Sequence, residues 1–376
     1  MPGGLADHTV LLAQRLTANR RVEVLTSLGA EPGVGLRVSA TVGSWSDSAG
    51  LLRQFDTLPR EAAIVWQYVP HMYGRGGINR SLPKVMAALR GAGRHQIVIA
   101  HEIMAPLSWR PRLLWCAWNH RWQWRCIRAV ADQLAISTER WVEHWMTREP
   151  RIAPKLSLLP SPSNVPSVTV SEGHREAWRQ RFGWPPEMRV LAHFGSGAAG
   201  KQVDWIYRAW EAAESELGPM ALVIAGGRPD QAPPESRQSR YRFLGHLPAA
   251  ELAEMLRAVD VLALPFVDGV SERRGSFMAG LEAGVSVATT LGHSTGTTLR
   301  NADFLAATAE DDLGGYCDQV RHLLQDEPRR RALAARGQAA YRKNYSWDVV
   351  TRRLEGLIDS PPSVDAGPAT VATVSK

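Results

Sequence analysis

The sequence predicts an α/β chain of two doubly wound, parallel-sheet units, and three observations predict it. Short apolar runs alternate with stretches of helical spacing through both halves. A Pro- and Ser-rich stretch, residues 156–173, interrupts that alternation near the middle. The length, 376 residues, suits two domains at roughly 100–200 residues each.

In the first half, residues 6–17 carry helical spacing through Leu11 and Leu16, and residues 22–25 form a short apolar strand. Residues 62–66 and 96–100 read as buried strands with a helix near 82–89 between them. A further strand at 133–136 leads into a helix at 139–146. The Gly3-Gly4 turn should leave a strand, so a first strand upstream of it is expected and is missing from the regular pattern. The second half opens with a strand at 189–194, a helix at 203–213, and strands at 221–225 and 241–244. A helix at 249–258, a strand at 261–264, a helix at 276–283 and a strand at 286–290 follow. Residues 310–342 read as helical, and 347–358 as a final amphipathic helix. The expected organisation is therefore residues 1–165, residues 166–345, a helix at 346–359 and a disordered tail at 360–376.

Composition narrows the function. The chain is 44% hydrophobic and 22% charged, a globular balance that excludes wholesale disorder. Its net charge is +7, carried by 39 Arg and only 5 Lys, which favours anionic partners. The basic residues are dispersed rather than gathered on one recognition helix, so no nucleic-acid partner is expected. Three cysteines, Cys116, Cys126 and Cys317, form no CxxC and no zinc spacing, which argues against a disulfide framework or thiolate metal site and fits a cytoplasmic setting. No apolar run reaches the ~18 residues of a membrane span, and no signal peptide opens the chain.

Two loops of the second half carry the chemistry. Gly195, Gly197 and Gly200 followed by Lys201 lie between a strand and a helix, where backbone N–H groups and the helix dipole suit a phosphate. The next strand ends in Gly226-Gly227 rather than the acidic residue a dinucleotide ribose needs, which disfavours NAD. Gln202 supplies no hydroxyl for Mg²⁺, which departs from a P-loop. After the strand at 261–264 a second loop gathers Asp268, Gly269, Ser271, Glu272, Arg273, Arg274, Gly275 and Ser276, with adjacent arginines at a helix entrance suited to a diphosphate. In the first half, His101 ends a strand and is either a substrate contact or a structural hydrogen-bonder. Tyr68 and Tyr73 fall in a Gly- and aromatic-rich loop after another strand.

Residues 107–131 hold five Trp, five Arg and no Asp or Glu. Trp115, Trp118 and Trp122 share one helical stripe, with Arg121, Arg125 and Arg128 near its edges. A Trp stripe buried as domain core is the preferred reading, because five tryptophans facing outward would leave the domain short of core. A basic interfacial helix is the alternative.

Phe194 to Lys201, Ala225-Gly226-Gly227, Leu244 to Pro248, Ala258 to Val261 and Pro265-Phe266 resemble, in order and spacing, the nucleotide-binding half of GT-B glycosyltransferases of retaining family 4. Gly3, Gly4 and the residues to Thr9 resemble that family's acceptor loop, His101 its active-site histidine, and Tyr345-Ser346-Trp347 its final helix. The resemblance covers about residues 1–358. It implies two Rossmann-like domains facing a crevice, with a sugar moving from a nucleoside-diphosphate sugar to the hydroxyl of a glycan, lipid-linked or small-molecule acceptor. It implies a co-substrate rather than a cofactor, no metal, and a cytoplasmic enzyme with peripheral membrane contact as an option.

By the same resemblance, His101, Lys201 and Glu272 are the catalytic candidates. Gly195, Gly197, Gly200, Gly226, Gly227, Asp268, Gly269, Ser271, Arg273, Arg274, Gly275 and Ser276 face the donor, and Gly3, Gly4, Tyr68 and Tyr73 the acceptor. The sequence departs from the family in one loop: Ser271 and Ala279 stand where the family has two Glu, with Glu272 one residue beyond the first slot. A catalytically silent paralogue that binds a partner, or a nucleotide-sugar epimerase, are the alternatives.

Overall fold

The computed structural model describes residues 4–30, 35–195, 200–227 and 239–360. Gly3, Gly197 and the tail beyond residue 360 lie outside the described residues. The chain divides into two compact units: Met1–Ser137, Trp141–Leu159 and Thr351–Lys376 form one, and Thr138–Arg140 with Pro160–Val350 the other.

The first unit runs α1 (Gly4–Leu16), β1 (Glu23–Ser27), β2 (Arg37–Val42), α2 (Ser48–Asp56), β3 (Ile64–Tyr68), α3 (Ser81–Gly91), β4 (Gln96–Ala100), α4 (Pro111–Val130), β5 (Gln133–Ile136), α5 (Glu139–Arg148) and β6 (Leu156–Leu158). Strands β3-β4-β5-β6 form a parallel sheet in that order, and β1-β2 a separate parallel pair. Strand β4 is buried along its whole length, as a parallel strand covered on both faces must be. Its alternation sends Val98 and Ala100 into a core shared with Leu82, Val85, Trp124 and Ile127.

Helix α4 corrects the sequence reading. Its inward face is Ala117, His120, Gln123, Trp124, Ile127 and Val130, while Trp115, Trp118 and Trp122 stand exposed. Trp124, outside the expected stripe, is the tryptophan that this helix contributes to the core. Arg128 is no surface edge residue either: it pairs with Glu149 and stacks over the buried Trp145.

The second unit contains α6 (His174–Gln180), β7 (Val190–Phe194), α7 (Val203–Leu217), β8 (Ala221–Ala225), β9 (Tyr241–Gly245), α8 (Ala249–Ala258), β10 (Val261–Leu264), α9 (Gly275–Ala283), β11 (Ser286–Leu291), α10 (Thr297–Arg300), β12 (Ala306–Ala309), α11 (Leu313–Gln325) and α12 (Glu327–Ala340). The helical stretch expected at 310–342 is built from two helices, because Asp326 ends α11 and caps α12 by accepting from Arg329 N. Helix α13 (Trp347–Asp359) begins in this unit, where Trp347 Nε1 donates to Ser163 O (2.7 Å). From Thr351 it belongs to the first unit, where Asp359 pairs with Arg20.

The sheet of the second unit is parallel throughout, in the order β12-β11-β10-β7-β8-β9. Successive residues serve opposite cores: Val190, Ala192, Leu262 and Leu264 on one face, Leu191, Val261 and Ala263 on the other. Both faces are covered, which is the doubly wound arrangement. Strand order reverses direction between β7 and β10, so chain excursions from these neighbours leave toward opposite sides and open a crevice at their carboxyl ends.

Asp260 anchors that pair from the other end. Its carboxylate is buried, accepts from Val190 N (2.8 Å), and meets Arg175, Arg179 and Arg330. Asp260→Asn would remove the buried carboxylate that three guanidinium groups share, and breaking a buried ion pair by removing one partner costs about 3–5 kcal/mol. Chemical denaturation of the variant is expected to show a loss of that size; a loss under about 1 kcal/mol would mean that the arginines are adequately solvated without it.

Candidate functional site

The two loops singled out in the sequence leave from the two strands of the switch point. Gly195 to Lys201 follows β7, and Pro265 to Arg274 follows β10. The backbone ties them together: Lys201 and Phe266 form an antiparallel bridge, Gln202 N donates to Pro265 O (2.9 Å), and Val267 N donates to Gly200 O (3.2 Å). Between the strands, His193 Nδ1 donates to Ala263 O (2.8 Å), and burial lowers its pKa to about 3, so it is the neutral ring.

Lys201 lies against this seam. Its Nζ donates to Phe194 O (3.0 Å) and fills the space a Cβ on Gly195 would take. Gly226, at φ +72°, is packed so closely on the Gly195 carbonyl that a side chain there would collide with it. Burial, followed by the nearby Arg274, lowers the Lys201 pKa to about 8. Arg274 stacks its guanidinium 4.7 Å from the Phe266 ring centroid and pairs with Asp268. Arg273 reaches the same carboxylate at 3.6 Å, and Ser294 Oγ donates to it (3.1 Å). Gly269, at φ +85°, lets this loop pass against Gly292 N, where a Cβ would not fit. Helix α9 then starts at Gly275 and Ser276 with no side-chain cap on its first amides. Three cationic side chains, one shared carboxylate and a helix N-terminus thus gather at the carboxyl ends of β7 and β10, an arrangement suited to a di-anionic group.

Ser271 and Glu272 are both enclosed at the base of the loop. Glu272 Oε2 accepts from Glu139 N (3.1 Å), and its carbonyl accepts from Ser161 N (3.1 Å). One carboxylate oxygen is therefore committed to backbone within the second unit, and Glu139 is held in turn by Thr298 N and Oγ1. Ser271 Oγ is buried with no hydrogen-bond partner among the described residues. Gly227, at φ +89°, closes the turn after β8.

In the first unit, His101 ends β4, with its N–H on Tyr68 O (3.0 Å) and Nε2 on Gln67 Oε1 (2.7 Å). His8 of α1 meets it edge-on, ring centroids 4.9 Å apart, and burial lowers the His8 pKa to about 4. Gly4 opens α1. Tyr68 and Tyr73 do not line an acceptor surface: both are core residues, Tyr68 Oη accepting from Gln123 Nε2 (3.0 Å) and Tyr73 Oη donating to Gln67 O (2.8 Å). Phe266 and His8 were not identified as site residues from the sequence. An aromatic after a strand and a histidine inside a helix each look like ordinary packing.

A parallel sheet in this order, with its ligand-suited loops at the switch point and a second parallel-sheet unit in the same chain, defines the GT-B fold. Residues 188–326 match the family model described as Glycosyl transferases group 1. The chain is 28% identical over 233 residues to a D-inositol 3-phosphate glycosyltransferase of Xylanimonas cellulosilytica, covering 58% of this chain and 55% of that protein. It is 24% identical to a GDP-mannose-dependent monoacylated alpha-(1-6)-phosphatidylinositol monomannoside mannosyltransferase of Corynebacterium glutamicum, covering 56% and 57%. The chain thus spans little more than half the length of these curated relatives. Among solved structures it resembles WaaG, a glycosyltransferase involved in lipopolysaccharide biosynthesis, at a TM-score of 0.67 and 17% identity over 96% of this chain and 98% of that one. It also resembles Anabaena HepE in complex with UDP and glucose, at 0.66 and 13% over 95% and 96%.

The Lys201 pKa sets a pH dependence for any anion bound here. The ammonium is present below about 8 and is lost as pH rises through that value. Affinity for sulfate, an anion whose charge is fixed over this range, is expected, by calorimetry, to hold from pH 6.5 to 7.5 and to fall several-fold by pH 9, because an anion that needs the charged form must first reprotonate it. Lys201→Met is expected to bind weakly with no such slope; a wild-type slope retained in this variant would assign the titration to another group.

Proposed function

We propose that the protein is a retaining, metal-independent glycosyltransferase that moves a sugar from a nucleoside-diphosphate sugar to the hydroxyl of a glycan, lipid-linked or small-molecule acceptor. The observation that carries this reading is the convergence of Lys201 and Arg274 on Phe266 at the switch point, two mutually repelling cations of which Asp268 pairs only with Arg274. Breaking the sugar–phosphate bond leaves its electron pair on the β-phosphate oxygen. Fixed positive charge and the α9 amides beside that oxygen stabilise the transition state more than the ground state.

In this reading Lys201, Arg273, Arg274 and the amides of Gly275 and Ser276 hold the diphosphate. Gly195, Gly200, Gly226, Gly227 and Gly269 let backbone approach it, and Asp268 orients the arginines. Glu272, with Ser271 beside it, receives the sugar hydroxyls. His101, oriented by Gln67 and His8, contacts the sugar, and Gly4 serves the acceptor side. The acceptor oxygen attacks the anomeric carbon on the face from which the diphosphate leaves, and its proton passes to the departing phosphate oxygen. Peripheral contact with a membrane belongs to the same reading; no helix among the described residues is long and apolar enough to cross one.

Release of nucleoside diphosphate across a panel of UDP-, GDP-, ADP- and dTDP-sugars tests the activity. Lys201→Ala is expected to lower kcat/KM by about 2–4 kcal/mol, roughly 30- to 1,000-fold, in a folded protein. An unchanged rate removes the leaving-group role.

Glu272→Gln keeps a carbonyl oxygen for Glu139 N while removing the charge. It is expected to cut turnover at least about ten-fold with little change in melting temperature. Should Ser271→Ala prove the more damaging of the two, the sugar-facing position belongs to Ser271.

A further inference from the structure

Helix α4 has an outer face that the donor chemistry does not use. Positions 111, 115, 118, 122, 125 and 129 recur at helical spacing and are all exposed, opposite the buried face of Trp124 and Ile127. Three of them are Trp115, Trp118 and Trp122, at 57%, 63% and 43% exposure. The segment leading into the helix adds Leu107, Trp109 and Leu113, with Trp109 at 85%. Six of the ten exposed large apolar side chains among the described residues thus lie within residues 107–122, which is a patch rather than the usual scatter.

We infer that this face is a docking surface for a bilayer bearing anionic lipid headgroups. Charge selects the occupant. Residues 103–131 contain five Arg and no Asp or Glu. Arg128 is engaged by Glu149, and Arg121 braces the fold through Ala105 O and Ala117 O (3.0 and 2.9 Å). Arg110, Arg112 and Arg125 remain exposed around the tryptophans. A second copy of the chain would set like charge against like, whereas phosphate-bearing headgroups complement it. Indole rings, apolar with one polar N–H, favour the headgroup boundary. Helix α4, 20 residues long, has one buried face and one exposed face of Trp and Arg, the two-sided pattern that suits a helix lying along a membrane surface. Trp124 and Ile127 hold the opposite face to the core, which lets the outer face meet lipid with the fold intact. The inference adds the surface and the lipid class to the peripheral contact of the proposed function, and its test reads no glycosyl transfer, so the two fail separately.

The full chain is mixed with phosphatidylcholine vesicles, with or without phosphatidylglycerol, at low and moderate salt, and sedimented. Binding to the anionic vesicles is expected to exceed binding to neutral ones about ten-fold or more, and to weaken with salt. Trp115→Ser/Trp118→Ser/Trp122→Ser removes no core residue and is expected to abolish binding with an unchanged melting temperature. Arg112→Gln/Arg125→Gln is expected to reduce binding to anionic vesicles alone, about ten-fold. Quenching of Trp emission by brominated lipid, lost in the triple variant, locates the contact on α4. Equal weak binding to both vesicle types overturns the inference, as does undiminished binding in the triple variant. Self-association that the triple variant abolishes, without vesicle binding, overturns it in favour of a second copy.

Discussion

The pairing of β7 with β10 is the constraint on which the second unit depends. These strands are neighbours in the sheet but separated in sequence by two strands and two helices, so no local preference sets their register. Asp260 does so at the amino ends, accepting from Val190 N while its own N–H donates to Val190 O (3.0 Å). His193 does so in the middle, and the bridge between Lys201 and Phe266 at the carboxyl ends. A buried carboxylate among guanidinium groups is a costly way to gain stability. What it supplies here is placement, because a slip of one residue would turn every side chain of β10 to the opposite core.

That placement reaches the proposed chemistry through steric exclusion as much as through charge. Lys201 Nζ sits where a Gly195 Cβ would be, the Gly195 carbonyl sits where a Gly226 Cβ would be, and the backbone of Gly292 blocks one on Gly269. Each glycine therefore admits a neighbouring backbone or cation into space that any side chain would close. The same packing strips water from Lys201, and this is the leading reason its ammonium is weakened. Tight backbone approach and an under-stabilised cation are two results of one arrangement.

Most of the second unit was legible in the sequence, because fully buried parallel strands such as 221–225 and 261–264 are unbroken apolar runs bounded by turn residues. Strands β2 and β12 were not. Arg37–Val42 mixes Ser and Thr with Val, and Ala306–Ala309 has three alanines and a threonine, so neither carries a strong period. The direction of the Trp stripe was hidden for a related reason: α4 has tryptophan on both faces, and periodicity alone does not say which faces inward. Tyr68 and Tyr73 looked like ligand contacts because their loop is rich in Gly and aromatics. Their hydroxyls are in fact satisfied inside the unit, by Gln123 and by the Gln67 carbonyl. The engagement of Glu272 was the least visible of all, since Glu139 lies 133 residues away along the chain.

Charge at the two loops is arranged in layers rather than balanced pair by pair. Asp268 accepts from Ser294 and draws both Arg273 and Arg274, so it fixes two flexible side chains and offsets part of their charge. Lys201 meets no such carboxylate among the described residues; it donates to the Phe194 carbonyl and is opposed by Arg274. The oriented arginines can hold an anion in place with little further ordering, which lowers the entropic cost of binding. The lysine, whose charge burial and Arg274 both disfavour, has the most to gain when negative charge arrives. A group whose interaction strengthens as charge develops contributes to rate, whereas one that is equally satisfied throughout contributes only to binding. In the proposed function, Asp268, Arg273 and Arg274 would on that ground position the donor, and Lys201 would be the residue whose interaction grows as the diphosphate departs.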